Sequence, residues 1–379
     1  MTLPDPSDQG RTAGTGAAGA RADGTDGAGT GAGVNISGGT AASAPERPDS
    51  GPQTGISIRR QLALVLGVLV LGLGFIFSYV GAFHHPTPHG VKIAVVAPTP
   101  VASSLASKLS SLAGHPLAAR AVGSALAASD QVLRDQLAGA LIVNPHGSND
   151  RLLVAGGGGA ALSEALQSVI KASEAAEHRT VTVTDLAPLQ AGDYRGLTGF
   201  YTVVGWLVCG YLLASLLGIS SGRVKSTPAG TARRLGIMAL YSIAAGFGGS
   251  LIIDSLLGAL TGNFLALAVI GMFLVFTAGA VTIALQQLAG IIGIGIAVLL
   301  FVVIGNPSAG GAYQLPLLPG FWRTIGDALP NGAGVDTLRR ITYFSGHGIT
   351  GHLVVIGLWC LGGVLLALAI STVNAHRTS

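Results

Sequence analysis

Few residues in this 379-residue chain have types and spacings that chemistry could use. His84, His85 and His89 stand close enough to ligate a metal, but no Cys, Asp or Glu accompanies them and Pro86 and Pro88 interleave, so a spacer is the simpler reading. Gly156 to Gly159 has the glycine content of a phosphate cradle, yet it follows a strand-like run and reads better as a flexible turn. Asp254 is the one acid inside a long apolar run, suited either to a water-reaching structural role or to a substrate path. Basic residues gather twice. Arg223, Lys225, Arg233 and Arg234 lie in SGRVKSTPAGTARR with no acid among them, and Arg323, Arg339 and Arg340 lie in a Pro-bounded segment. The second set can meet lipid phosphates or pair with Asp327 and Asp336.

Other chemistry is missing its residues. Ser and His are plentiful in the stretches between the apolar runs at 84–197 and 305–352, but no G-x-S-x-G elbow occurs there. The dipeptide Gly-Lys is absent altogether, so no G-x-x-x-x-G-K-S/T loop can cradle a nucleotide. The chain reads as a non-enzyme with no cofactor and no metal of its own. Its formal charge of +4 is small and scattered, which argues against a nucleic-acid partner.

The elements that must hold these residues are hydrophobic. Charged residues make up 10% of the chain and the mean hydropathy is +0.61, far from a soluble composition. Apolar runs at 61–83, 198–220, 235–260, 264–285, 288–304 and 353–373 are of bilayer-crossing length. Gly246, Gly248, Gly249, Gly290, Gly293 and Gly295 are expected to let these helices approach closely. Gln286 and Gln287 are expected to mark a tight turn between spans four and five.

Short basic loops stay cytoplasmic. Arg59 and Arg60 precede the first span, the cluster from Arg223 to Arg234 follows the second, and His376 with Arg377 follows the sixth. All three belong inside, so both termini are expected to be cytoplasmic and the protein a multi-pass component of the plasma membrane. Residues 84–197 then form an extracytoplasmic domain, with eight basic and eight acidic residues and no cysteine. Cys209 and Cys360 lie in spans two and six, as small packing residues.

The extracytoplasmic stretch alternates strand-like and helix-like runs in the order βαβαββαβ, which implies a sheet covered by helices, with Ser129 as a candidate helix N-cap. Residues 1–58 are Gly- and Ala-rich with almost no large apolar side chains, and are expected to be a disordered cytoplasmic tail. The fold expectation is therefore an α-helical polytopic membrane protein of six transmembrane helices, with an extracytoplasmic α/β domain between helices one and two. Residues 59–83 form the first helix, 198–373 a five-helix membrane domain with an outer amphipathic loop at 305–352, and 374–379 a cytoplasmic tail.

Within that loop, Pro316, Pro319 and Pro330 break helices. Phe321, Trp322, Ile325 and Leu329 fall on one face at helical spacing, and Trp322 and Tyr343 suit the headgroup layer. The segment is expected to lie in or dip into the outer leaflet, against the alternative of an ordinary packed loop.

The stretch LPLLPGFWRTIGDALPNGAGVDTLRRITYF and the six-span order resemble type-2 ABC exporter permeases, particularly the YhgE/Pip-like branch; SALAASDQVLRDQLAGALIVNP adds a second, shorter likeness. The sequence departs from that branch where Pro98, Thr99 and Pro100 replace an acidic residue after the first strand. The resemblance implies a homodimer or paired permease among membrane lipids, exporting a lipid, peptide or hydrophobic compound. It also implies a separate ABC ATPase subunit that docks at 221–234. A non-transporting surface or scaffold protein, of the phage-receptor or secretion-accessory kind, is the other reading, and a proton-driven exporter would depend on Asp254 alone.

Overall fold

The computed structural model describes residues 58–220 and 227–376. Six helices are long and apolar enough to cross a membrane, and a small α/β domain lies between the first and second; this is a mainly helical, multi-pass membrane protein. The N-terminal tail, together with Arg223 and Lys225, falls outside the described residues.

The first span is α1 (Ile58–Phe83). In the α/β domain, β1 (Val91–Val96), α2 (Val101–Ser110), β2 (Leu117–Ala121), α3 (Ala125–Leu133), β3 (Gly139–Ile142), β4 (Asn149–Val154), α4 (Ala160–Ala176) and β5 (Thr180–Asp185) follow in the order read from the alternating runs. The sheet order is β2-β1-β3-β4-β5, with β4 antiparallel to β3 and the other neighbours parallel. Leu109 of α2 and Leu166 and Ile170 of α4 pack with Ile93, Leu141 and Leu152 on one face, while Ala128 and Val132 of α3 cover Ala94, Ala140 and Leu153 on the other. Each of the large side chains contributes about 1.5–3 kcal/mol by leaving water, enough to hold this domain without disulfides. The cap of α3 is Ser124, whose side chain accepts from the Ala127 amide at 3.2 Å. Ser129, the sequence candidate, lies inside the helix because Ser124 already stands in extended backbone one residue before it starts.

Span two is α5 (Thr198–Ser220) and span three is α6 (Pro228–Ser250), which runs into a π-helical turn at Leu251–Leu256. Helix α6 begins well before its apolar run because Thr227 caps it, accepting from the Gly230 amide at 3.1 Å, and Pro228 is preset for the first turn. Span four is α7 (Phe264–Ala289). Gln286 and Gln287 sit on this helix, and the turn comes after them, at Gly290 with φ +60°. The fifth span is segmented into α8 (Ile291–Val298), a π-helical turn at Leu299–Ile304 and α9 (Gly305–Ser308). A 3₁₀ turn at Leu315–Leu317, α10 (Gly320–Gly326) and α11 (Pro330–Tyr343) lead to span six, α12 (Thr350–His376).

Helix α7 is the centre of the bundle and packs on α5, α6 and α12. Small residues permit this, since lipid provides no hydrophobic drive between helices. The Trp206 ring lies against Gly249 and Gly271 and donates to the Ala245 carbonyl at 3.1 Å. Gly246 abuts Met272 and Gly293 abuts the Leu285 carbonyl, as expected of them, whereas Gly248 faces open space.

Candidate functional site

Strand direction determines which end of the α/β domain meets the bundle. β1 leaves α1 and runs away from the helices, as do β2 and β3; β4 and β5 run back. The end of β4, the end of β5, the start of α4 and the end of α3 therefore gather at the bundle, where α11 meets them. Asp336, Arg339 and Arg340 of α11 form the centre of this seam.

Arg340 uses all three of its nitrogens. Nε donates to Asp336 Oδ2 at 2.8 Å, Nη2 pairs with Asp135 at 2.8 Å and Nη1 donates to the His347 carbonyl at 3.1 Å. Arg339 donates to Asp336 Oδ1 at 3.1 Å and to the Gly310 carbonyl at 2.8 Å. His352 of α12 reaches Asp336 at 2.9 Å through Nε2. One carboxylate thus gathers two guanidinium groups and an imidazole, and one guanidinium bridges α11 to α3 of the α/β domain. Of the two readings left open for the arginines, Arg339 and Arg340 pair with Asp336; Arg323 has no ion pair among the described residues.

Burial and charge pull the two acids apart. Burial opposes ionisation of Asp336, but His352, Arg339 and Arg340 outweigh it and hold its pKa well below the ordinary range. For Asp135 burial dominates: despite Arg340 its pKa is pushed up to about 6, with Asp336 adding to the rise.

Three further contacts close the seam. The Tyr343 hydroxyl donates to Asp193 Oδ2 at 2.7 Å, and Asp193, itself buried, accepts the Thr198 amide at 2.9 Å and so caps α5. Burial first, and then the Asp193 carboxylate, raise the Tyr343 pKa. Gln314 accepts from the Leu162 amide at 2.9 Å, satisfying a free donor in the first turn of α4. The glycine run is part of the same contact. Gly156 and Gly157 are buried, the Tyr343 ring lies where a side chain on Gly157 would go, and Gly159, at φ +133°, faces Gln314. It is a packed 3₁₀ turn and not the flexible one expected, because α11 closes over it.

Residues 305–352, expected to lie in or dip into a leaflet, pack against the bundle. Pro330 starts α11 as predicted, but most of the helix is buried among protein groups, with Gly334 against Leu274 and Val203. Its Asn331, 1% exposed, donates at 2.8 Å to both the Phe301 carbonyl in the π-helical turn of span five and Asn306 Oδ1. A π-helical turn shifts the backbone ladder, and here the displaced carbonyl finds a side-chain donor from another element. Of the four residues expected on one lipid-facing side, Phe321 is exposed, Leu329 is buried, and Trp322 and Ile325 are half-buried. Trp322 lies against Gly81 and donates to Ser78 at 3.2 Å, tying Pro319-capped α10 to α1. Tyr343 points into the seam and not toward a headgroup layer.

At the opposite end of the bundle, Arg233 and Arg234 lie on α6, beyond the connecting loop. Arg233 is exposed, whereas Arg234 donates to Gln286 Oε1 at 2.8 Å, and Gln286 donates to the Ser215 carbonyl at 3.3 Å. Gln287 donates to Thr231 at 2.8 Å. The two glutamines cross-link α5, α6 and α7 and do not mark a turn. Asp254, half-buried on the π-helical turn of span three, lies near the sheet-bearing end, and no hydrogen bond or ion pair reaches its carboxylate among the described residues.

No group of three His, Cys, Asp or Glu among the described residues could hold a metal; His84 instead bonds the Val80 carbonyl through Nδ1 at 2.9 Å. Asp135, Asp193, Gln314 and His352 carried no local signal in the sequence, since each works through a partner on a remote element. Comparison of the chain with protein-family models, curated proteins and solved structures finds no match.

Proposed function

We propose that this protein is the membrane-spanning permease subunit of an ABC-type exporter in the plasma membrane, resembling the type-2 permeases of the YhgE/Pip-like branch. It moves a lipid, peptide or hydrophobic compound using a separate ATPase subunit. The arrangement that carries this reading is the helical pair α10–α11 tucked into the bundle end between spans five and six, joined there to the domain that follows span one. Contact between Arg340 and Asp135 requires both connections to share one side of the membrane, as six crossings demand. The basic residues favour the other side as cytoplasmic, with both termini there and the α/β domain outside.

Motion at the cytoplasmic end has a short path outward. α6 carries Arg233 at its surface and Arg234 in contact with α7, the helix on which α5 and α12 also pack. Nucleotide-driven movement of a docked ATPase would tilt α6 and α7 together, and α11 would pass that tilt to the outer domain. The protein works as a homodimer or paired permease, contributing no catalytic residue of its own.

Purification of the full chain in mild detergent, with identification of co-purifying proteins, tests this. The expected result is a Walker-motif ATPase whose retention is lost in Arg233→Glu while the melting temperature is unchanged. Arg234 is unsuitable for the test because its contact with Gln286 is structural. Retention of the ATPase by Arg233→Glu counts against the docking end, and co-purification of secretion or wall-binding proteins without an ATPase favours a scaffold.

A further inference from the structure

The end of the α/β domain farthest from the bundle carries a second feature, independent of transport. In the order β2-β1-β3-β4-β5 the chain leaves β1 toward β2 and then crosses back to β3. Helices α2 and α3 consequently depart to opposite faces of the sheet. A crevice must open outside the carboxyl ends of β1 and β3, and open α/β sheets bind ligands at such points. A crevice of about 570 Å³ in the helix bundle is lined almost entirely by apolar groups. The one at the sheet end, about 500 Å³, is mixed. That volume suits a small molecule.

Its walls have two characters. Pro100, Val101, Leu105 and Val143 give an apolar side. Opposite them lie Asp150, 1% exposed, and Glu174, 3% exposed, with Arg179. Arg179 is fully engaged on its acid-facing edge, donating to Asp150 at 2.7 Å from Nε and 2.5 Å from Nη2, and to the Asn144 carbonyl at 3.1 Å. The Asn144 amide adds a bond to Asp150 at 2.7 Å. Glu174 stands 3.5 Å from the same Nε, behind Asp150 in the competition for that cation. At the rim Lys108 is paired with Glu177. Lys108 is thus taken by Glu177, and the buried wall holds two carboxyl groups, Asp150 and Glu174, that share a single guanidinium. Burial, with Asp150 beside it, holds the Glu174 pKa above the ordinary glutamate range.

We propose that this crevice binds a small primary amine with a short apolar body, its ammonium paired with Glu174 and its hydrocarbon against Leu105 and Val143. An anionic ligand would find no unpaired cation among these lining groups. A neutral one would leave Glu174 on its hydrogen bond to Asp150 and gain no ion pair there.

The full-length protein in detergent micelles, titrated with n-butylamine, n-butanol and butyrate and followed by saturation-transfer NMR, tests the proposal. Butylamine is expected to bind saturably and to be weakened at least tenfold by Glu174→Gln. Leu105→Trp, which fills the crevice from its exposed side, is expected to abolish binding without changing the melting temperature. Should Glu174→Gln fail to fold, Leu105→Trp and a crevice-filling Val143→Trp carry the test. Butyrate binding as tightly as the amine, amine binding untouched by either Trp variant, or no saturable binding by the amine would overturn it.

Discussion

At the sheet-bearing end of the bundle Arg340 alone joins α11, α3 and the segment before α12, through Asp336, Asp135 and the His347 carbonyl. At the opposite end Arg234 joins only helices that are already neighbours, through Gln286. Both ends bury a guanidinium, but the first is balanced by two carboxylates and the second by a neutral amide and the Ala214 backbone carbonyl. The first therefore fixes one domain to another, at a site where losing Arg340 leaves two buried acids short of a partner. The second adds polar contact to helices that pack without it. The α/β domain should consequently move as one body with α11, while the ends of α5, α6 and α7 remote from it can slide at smaller cost.

Arg340→Met should have the largest effect. It leaves Asp336 short of a partner and Asp135 with none, and removing one member of a buried ion cluster costs about 3–5 kcal/mol. Thermal unfolding in detergent should show a large drop in melting temperature, and hydrogen exchange should show α3 and α11 losing protection together. An equal drop for Arg234→Met would erase the difference between the two ends.

The next effect is a pH dependence at the seam, beside the one that the raised pKa of Glu174 gives the far end of the sheet. The Asp135 pKa is raised from 3.8 to about 6 in the folded protein. A raised pKa means that the folded state holds the proton more tightly, so this contribution to stability is complete below about pH 3.8 and is lost as pH rises through about 6. At about 1.4 kcal/mol per pH unit the change is about 3 kcal/mol. Asp336 acts in the opposite direction, since its depressed pKa gives stability that is present above the ordinary carboxylate range and fails only in stronger acid. Asp135→Asn should make the melting profile shallower between pH 4 and pH 6, about the interval in which Asp135 titrates. Unchanged steepness there would assign the dependence to another group.

Arg234→Met comes third. It leaves Gln286 without its donor, a loss of about 1–3 kcal/mol, while Arg233→Met on the exposed face should stay within about 0.5 kcal/mol of the wild type. The pair, measured side by side, separates the structural arginine from the one available to a partner.

The contrast between the ends also explains what could be read in advance. Apolar runs reveal spans because lipid allows no other solution, and the strand and helix runs of residues 84–197 follow from local periodicity. The seam was not legible. Arg340 and Asp336 share a helix and are readable as an i,i+4 pair, but Asp135 stands in a turn more than two hundred positions away, and only the return of α3 to the bundle brings it there. Gln286 shows the same problem at the other end. A glutamine pair in an apolar run reads as a turn when no partner is visible, and the partner, Arg234, reads as part of a basic loop because the Thr227 cap that extends α6 is weak evidence beside the apolar boundary.

The first span offers the smallest effect and the sharpest limit on the comparison. Residues 61–70 of α1 are exposed throughout, and the helix meets the rest of the chain only farther on. There Leu71 touches Gly295, Gly74 faces Val303, and Ser78 accepts the Trp322 indole at 3.2 Å. Trp322→Phe withdraws the indole edge from Gly81 and removes that bond, leaving the buried Ser78 hydroxyl without its donor at a cost of about 1 kcal/mol. Because α1 is held at one end only, the loss should be local: faster hydrogen exchange around Ser78, with the melting temperature nearly unchanged. A melting shift comparable to that of Arg340→Met would mean that α1 helps to clamp the α/β domain, and the seam through α11 would no longer be the main tie between the sheet and the bundle.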